Sequence, residues 1–235
     1  MRTITLLLLV ALVAAGCTTE EQAPTTTATT TPATTVPETT TVPETATTTA
    51  PGSAAAGLQL PSGWSTFRGS NYAIGLPELW VDGRSFLEDP DVRQAISDQL
   101  EGADLGGFEG LAQSLLASDG VDFLFNMAAF TGSFAENLNV LQFPAGAADD
   151  LALARDLGPA QLEAAGAADV TSEVVELGRF PALFITYRIP DVGVAQGHQY
   201  WVATDATVFV LTFSGSEGAD PALWRQMVDT FAPGS

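Results

Sequence analysis

Few residues in this 235-residue chain have the type and spacing to do chemistry. Cys17 is the single cysteine, and it closes the run LLLLVALVAAGC at residues 6–17. Arg2 precedes the run, and the small residues Ala15 and Gly16 sit just before the thiol. One positive charge, an apolar stretch and small residues at a cleavage point form the layout of a secretory signal. Small side chains let a peptidase reach the backbone there. The thiol at the next position is a nucleophile onto which a diacylglycerol can be transferred. Cys17 is therefore the candidate lipidation site.

His198 is the single histidine. Any Ser/His/Asp relay would have to use it. Ser214 and Ser216 are the nearest candidate nucleophiles in sequence, but Ser214-Gly215-Ser216-Glu217-Gly218 puts serine where a nucleophile elbow has its first glycine. A strand-end histidine beside a turn is the better reading. Glu88, Asp89 and Asp91 lack calcium-loop spacing and sit where a helix begins, so capping explains them. All eight basic residues are arginine, which excludes a phosphate-loop lysine and a Schiff base. One histidine and one cysteine cannot make the usual zinc site. No catalytic residue, metal or cofactor is assigned, and the chain is read as a non-enzyme. Trp64, Trp80, Tyr200 and Trp201 remain as candidate ligand-binding residues, although alternating aromatics are more often core. The apolar, glycine-rich segment 105–116 is the place where a pocket for a lipophilic ligand could open.

The elements that must position these groups follow from periodicity. Residues 64–68 and 72–76 alternate as two short strands, and Trp80 follows Pro77 in an irregular piece. Asp89-Pro90 starts a helix that carries Val92, Ile96 and Leu100 and stops at Gly102. A second helix is expected over 108–118, with Leu111, Leu115 and Leu116 on one face and a turn at Asp119-Gly120. Strands are expected over 121–130 and 138–143, flanking Gly132-Ser133. A helix from Asp149 or Asp150 is expected to bend or restart at Pro159 and to end at Gly166. Residues 171–177 with 180–189, and 196–203 with 207–214, read as hairpins. Residues 208–213 are apolar in both alternating sets, as in a central strand covered on both faces. Asp220-Pro221 opens a last helix with Leu223, Trp224, Met227, Val228 and Phe231 on one stripe. Hairpins mixed with non-alternating helices mean α+β, an antiparallel β-sheet flanked by helices in an α/β/α sandwich.

Composition divides the chain into three. Residues 1–16 are the leader, with an apolar run too short to span a membrane, which needs about 20 residues. Residues 17–57 hold Cys17 and a linker rich in Thr, Ala, Pro and Glu, with VPET twice, which has no apolar periodicity and cannot bury a core. Such stalks can carry O-linked sugar. Fully extended, the linker would reach roughly 120 Å at about 3.1 Å per residue. Residues 58–235 form one folded domain. A net charge of −20 repels phosphate backbones, so nucleic acid is excluded as a partner.

The leader ending on Ala15-Gly16-Cys17 resembles a bacterial lipoprotein signal, with Ala14 where leucine is usual. Further pieces are Gly63-Trp64-Ser65, the stretch from Tyr72 to Trp80, Leu177-Gly178-Arg179-Phe180-Pro181-Ala182 and Tyr187-Arg188. Gln199-Tyr200-Trp201-Val202, the strand at 208–214 and the closing helix at 224–231 complete the set. Together they resemble the PsbP-like domains of actinobacterial lipoproteins, the LpqN type. The resemblance implies an antiparallel sheet flanked by helices, and binding or assembly rather than catalysis. It supplies no catalytic residue, and the insert at 89–120 is longer than the family leads one to expect. The expectation is an extracytoplasmic domain anchored to the cell membrane by lipid, meeting an envelope protein. The alternative is a carrier of an apolar small molecule or lipid, held between the helices at 89–118 and the sheet. A His198-dependent hydrolase stands third.

Overall fold

The computed structural model describes residues 60–99, 105–117, 120–131, 134–146 and 150–234. The leader, Cys17 and the linker fall outside these residues. So do Leu100, Gly102, Ser118, Asp119, Gly132, Ser133 and Asp149.

In chain order the elements are β1 (Ser65–Arg68), β2 (Tyr72–Leu76), β3 (Trp80–Asp82), α1 (Gly83–Glu88), α2 (Pro90–Gln99), α3 (Leu105–Leu116), β4 (Val121–Thr131) and β5 (Phe134–Pro144). Then come α4 (Asp150–Ala164), β6 (Ala168–Leu177), β7 (Phe180–Ile189), β8 (Val194–Ala203), β9 (Thr207–Gly215), α5 (Pro221–Asp229) and β10 (Ala232–Pro233). A 3-10 turn at Pro190–Val192 joins β7 to β8.

β9 organises the domain. Val208 and Val210 face one side, Phe209, Leu211 and Phe213 the other, and all five are buried. A strand that is apolar on both faces must be covered twice. β9 lies between β5 and β8 in an antiparallel seven-stranded sheet of order β3-β4-β5-β9-β8-β7-β6. On one face α5 inserts Trp224, Met227 and Val228 against Leu138, Tyr200, Phe209 and Phe213. The small sheet β1-β2-β10 adds Tyr72, Ile74 and Leu76 to that core. On the other face α1, α2 and α3 bring Phe86, Ile96, Phe108 and Leu115 onto Phe123 and Phe125. On that same face α4 sets Ala154 and Leu162 against Leu183, Ile185, Val208 and Val210. The fold is α+β, with helices on both sides of an antiparallel sheet, as the sequence pattern implies.

The caps are as the sequence indicates. Asp89 Oδ1 accepts from the Asp91 amide at 2.9 Å, and Asp220 Oδ1 accepts from the Ala222 and Leu223 amides at 3.0 and 3.2 Å. Four details differ from the sequence reading. Trp80 sits in a strand rather than an irregular piece, because β3 pairs with β4, Trp80 opposite Asn126. A short α1 follows directly, capped by Asp82, whose Oδ1 accepts from the Arg84 amide at 3.0 Å. Two residues of β10 pair with β2. α4 runs through Pro159 as one helix. An interior proline costs about 3 kcal/mol, and the burial of Ala154 and Leu162 on either side of it offsets that cost.

Candidate ligand-binding face

The sheet separates the aromatic candidates. Trp80 and Tyr200 are buried on the α5 side, and Trp64 packs against the same core. Trp80 lies edge-on to Phe213 at 6.4 Å, and Tyr200 stacks on Phe184 at 4.6 Å. Burial pushes the Tyr200 phenol up to about 12. Trp201 faces the opposite way, into the core under α4. No single groove is therefore shared by all four. In α3, Phe108 is buried, and its ring meets Phe125 at 4.6 Å and Phe130 at 5.2 Å.

His198 and Ser214 are likewise on opposite faces. His198 is in register with Phe213 and lies edge-on to Trp224 at 5.1 Å and to Phe184 at 5.0 Å. Burial holds its imidazole below the ordinary histidine value, and its Nδ1 has no partner. Ser214 is in register with Gly197, so its side chain leaves the other face of the sheet. Ser216 lines a cleft of about 460 Å³ with Arg188, Gly193 and Glu217. His198 lines a separate cleft of about 220 Å³ with Asp169, Arg188 and Gln196. No group of three His, Cys, Asp or Glu among the described residues is placed to hold a metal ion. No helix among them is long and apolar enough to cross a membrane.

The arrangement with the clearest chemical character was not read from the sequence. On the helix-side face, the three central strands carry polar residues where apolar ones would be expected. Asn139 of β5 stands between Phe123 of β4 and Thr212 of β9, and Thr212 stands beside Gln199 of β8. One row along, Asn137 stands between Phe125 and Ser214, and Ser214 beside Gly197. Asn137, Asn139, Gln199 and Ser214 are all buried, from 5% exposed down to 1%. Within this strip Asn139 Nδ2 donates to Asn137 Oδ1 at 3.2 Å, and Asn137 Nδ2 to the Ala135 carbonyl at 2.8 Å. Gln199 Nε2 donates to Thr212 Oγ1 at 3.1 Å, and Trp201 Nε1 to Gln199 Oε1 at 2.7 Å.

Two atoms of the strip, Asn139 Oδ1 and Ser214 Oγ, have no hydrogen-bond partner. Each such buried orphan costs about 1–3 kcal/mol. Tyr187 borders the strip. Its ring covers Gly197 so closely that a Cβ there would sit 2.4 Å from Cε2. Burial pushes the Tyr187 phenol up to about 12, with the nearby Ser214 hydroxyl working in the other direction. The sequence signal was a period-2 polar set: Asn137 and Asn139 alternate with Leu138, and Thr212 and Ser214 with Phe213. The apolar run at 208–211 masked it.

No family model matches the chain, and no curated protein matches it. Among solved structures, the chain is similar to the solution structure of cyanobacterial PsbP (CyanoP) from Synechocystis sp. PCC 6803. The identity is 14% over 76% of this chain and 97% of that one, with a TM-score of 0.45. It is also similar to a crystal structure from Bacteroides thetaiotaomicron VPI-5482, at 13% identity and a TM-score of 0.38. That match covers 70% of this chain and spans 45% of the length of the Bacteroides chain. Likeness of this extent concerns the chain trace alone and says nothing of ligand or partner.

Proposed function

We propose that the chain is a lipoprotein of the PsbP-like, LpqN type, held outside the cytoplasm by lipid on Cys17. In this reading its domain is a non-catalytic binding or assembly module of the cell envelope. The observation that carries the reading is the thiol placed directly after Ala15-Gly16, at the end of an apolar run too short to span. Two or more acyl chains on one residue anchor stably, since each buried CH₂ stabilises by about 0.8 kcal/mol. The linker would then hold the domain off the membrane. Absence of catalysis is supported by the sheet that lies between Ser214 and His198. Membrane fractionation with intact-mass analysis tests the anchor. The expected product begins at Cys17 and carries acyl mass, and Cys17→Ser loses that mass and leaves the membrane fraction. An uncleaved, unacylated precursor in the cytosol overturns the reading.

A further inference from the structure

We propose that the larger cleft beside Arg188 binds an amino-carboxylate zwitterion, either a free amino acid or a short peptide. The ligand carboxylate meets the Arg188 guanidinium, its ammonium meets Glu217, and its aliphatic part lies on Pro190 and Ala195. The inference rests on the reading of the domain as a binding module and is independent of the anchor.

Three observations carry it. The cleft has room: its volume of about 460 Å³ lies within the range of about 300–1,000 Å³ usual for small-molecule sites, whereas its neighbour of about 220 Å³ falls below it. The charged groups on its wall are also left free. Asp169 Oδ2 accepts from Arg188 Nε at 2.6 Å and from Nη2, which fixes the guanidinium along one edge. Arg188 Nη1 has no partner among the described residues, and neither has the Glu217 carboxylate. Arg188 and Glu217 line the same cleft yet form no ion pair with each other. An arginine held along one edge by a carboxylate still presents N–H donors to a second one.

The third observation is the backbone on both sides of Arg188. β6 carries one extra residue where Ala168 pairs with Arg188 and Thr171 with Thr186. β8 carries another where Gly197 pairs with Tyr187 and Val194 with Ile189. Asp169, inside the first bulge, has φ 53° and alone among the described non-glycine residues lies in the left-handed region. Bulges re-aim side chains, and a strained φ persists where its surroundings hold it. Here the irregularities set Asp169 against Arg188 and place Ala195 on the cleft wall.

The charges select the ligand. Asp169 and Glu217 outnumber Arg188, and the whole chain carries −20, so a phosphate or a simple carboxylate is repelled. A zwitterion brings an anion for Arg188 and a cation for Glu217 at once.

The test is calorimetric titration of the full chain, extracted from membranes in neutral detergent. The probes are leucine, leucyl-leucine, and the N-acetyl and C-terminal amide forms of each. A zwitterion is expected to bind saturably at millimolar concentration or below, the tighter of the two deciding between amino acid and peptide. Its acetyl form lacks the ammonium and its amide form the carboxylate, and each is expected to bind at least tenfold more weakly. Glu217→Gln is expected to abolish the preference over the acetyl form, and Arg188→Gln the preference over the amide form. Both side chains are exposed, and a loss confined to one derivative is not what general unfolding produces. No saturable binding of either zwitterion, equal binding of the derivatives, or an unchanged preference in either variant overturns the proposal. Should the chain purify without acyl mass, the titration runs in buffer and the anchor reading fails alone.

Discussion

The indole Nε1 of Trp224 donates a hydrogen bond to the carboxylate of Glu136, tying α5 to β5 across 88 residues of chain. Glu136 is 3% exposed, and its other oxygen accepts from Asn126 Nδ2 at 2.6 Å. Trp224 in turn stacks on Phe213 at 5.5 Å. The carboxylate thus satisfies two buried donors at once. Glu136→Ala is expected to destabilise by about 3–5 kcal/mol, since it strands both donors in the core. Glu136→Gln keeps one acceptor and should cost about half as much. Urea denaturation of both variants measures this, and equal losses would mean that the second hydrogen bond contributes nothing.

Where the chain repeats a pattern over several residues, the fold is legible. The two-faced apolar set in β9 requires cover on both sides, and Asp220-Pro221 announces α5. α1 has six residues and repeats no turn pattern, while β3 and β10 are too short to show alternation. Their partners on β4 and β2 are set by tertiary pairing, which local sequence does not encode. Trp80 and Tyr200 were visible as aromatics, but their side of the sheet depends on register. Asn137 and Asn139 were visible as polar residues in a strand. Only the pairing of β5 with β9 shows that Thr212 and Ser214 extend them into one strip. Glu136 could not be foreseen, because its partner lies on a distant helix.

His198 makes stability depend on pH. Burial depresses its imidazole below the ordinary value of about 6.5, so the unfolded chain binds the proton more readily than the folded one. Stability is therefore full above about pH 6.5 and falls as the pH drops toward the folded value. Its surroundings are aromatic, with Phe184 and Trp224 edge-on to the ring. Chemical denaturation of wild type and His198→Phe between pH 7 and pH 5 should show a slope in the first that is reduced in the second. Identical slopes would refute the assignment to His198.

Asp122 acts with the opposite sign. Burial raises its carboxyl above the usual range, while the Tyr72 phenol, which donates to Oδ2 at 2.9 Å, pulls it back down. The folded state then holds the proton at pH values where the unfolded chain has released it. Stability from this group rises as the pH falls through the folded value toward about 3.8. Tyr72→Phe removes the phenol that favours the charged form, and should move the Asp122 titration further up. Carboxyl chemical shifts followed by NMR read this directly, and a downward move would contradict it.

Thr230 fastens the end of α5 to the small sheet. Its Oγ1 accepts from the Gly75 amide at 2.7 Å and donates to the Met227 carbonyl at 2.6 Å. Thr230→Val preserves the shape but leaves the amide without an acceptor, which should cost about 1–3 kcal/mol. Thr230→Ser keeps the oxygen and should recover most of that loss. Gly158→Ala in α4 behaves differently, because its new Cβ would lie 2.9 Å from Ile185 Cδ1. Helix propensity favours alanine by about 1 kcal/mol, and the contact opposes it. Paired with Ile185→Val, which withdraws that methyl, the alanine should become stabilising, with a coupling of at least about 0.5 kcal/mol in the double-mutant cycle. Strict additivity would show that the helix shifts to accommodate the methyl by itself.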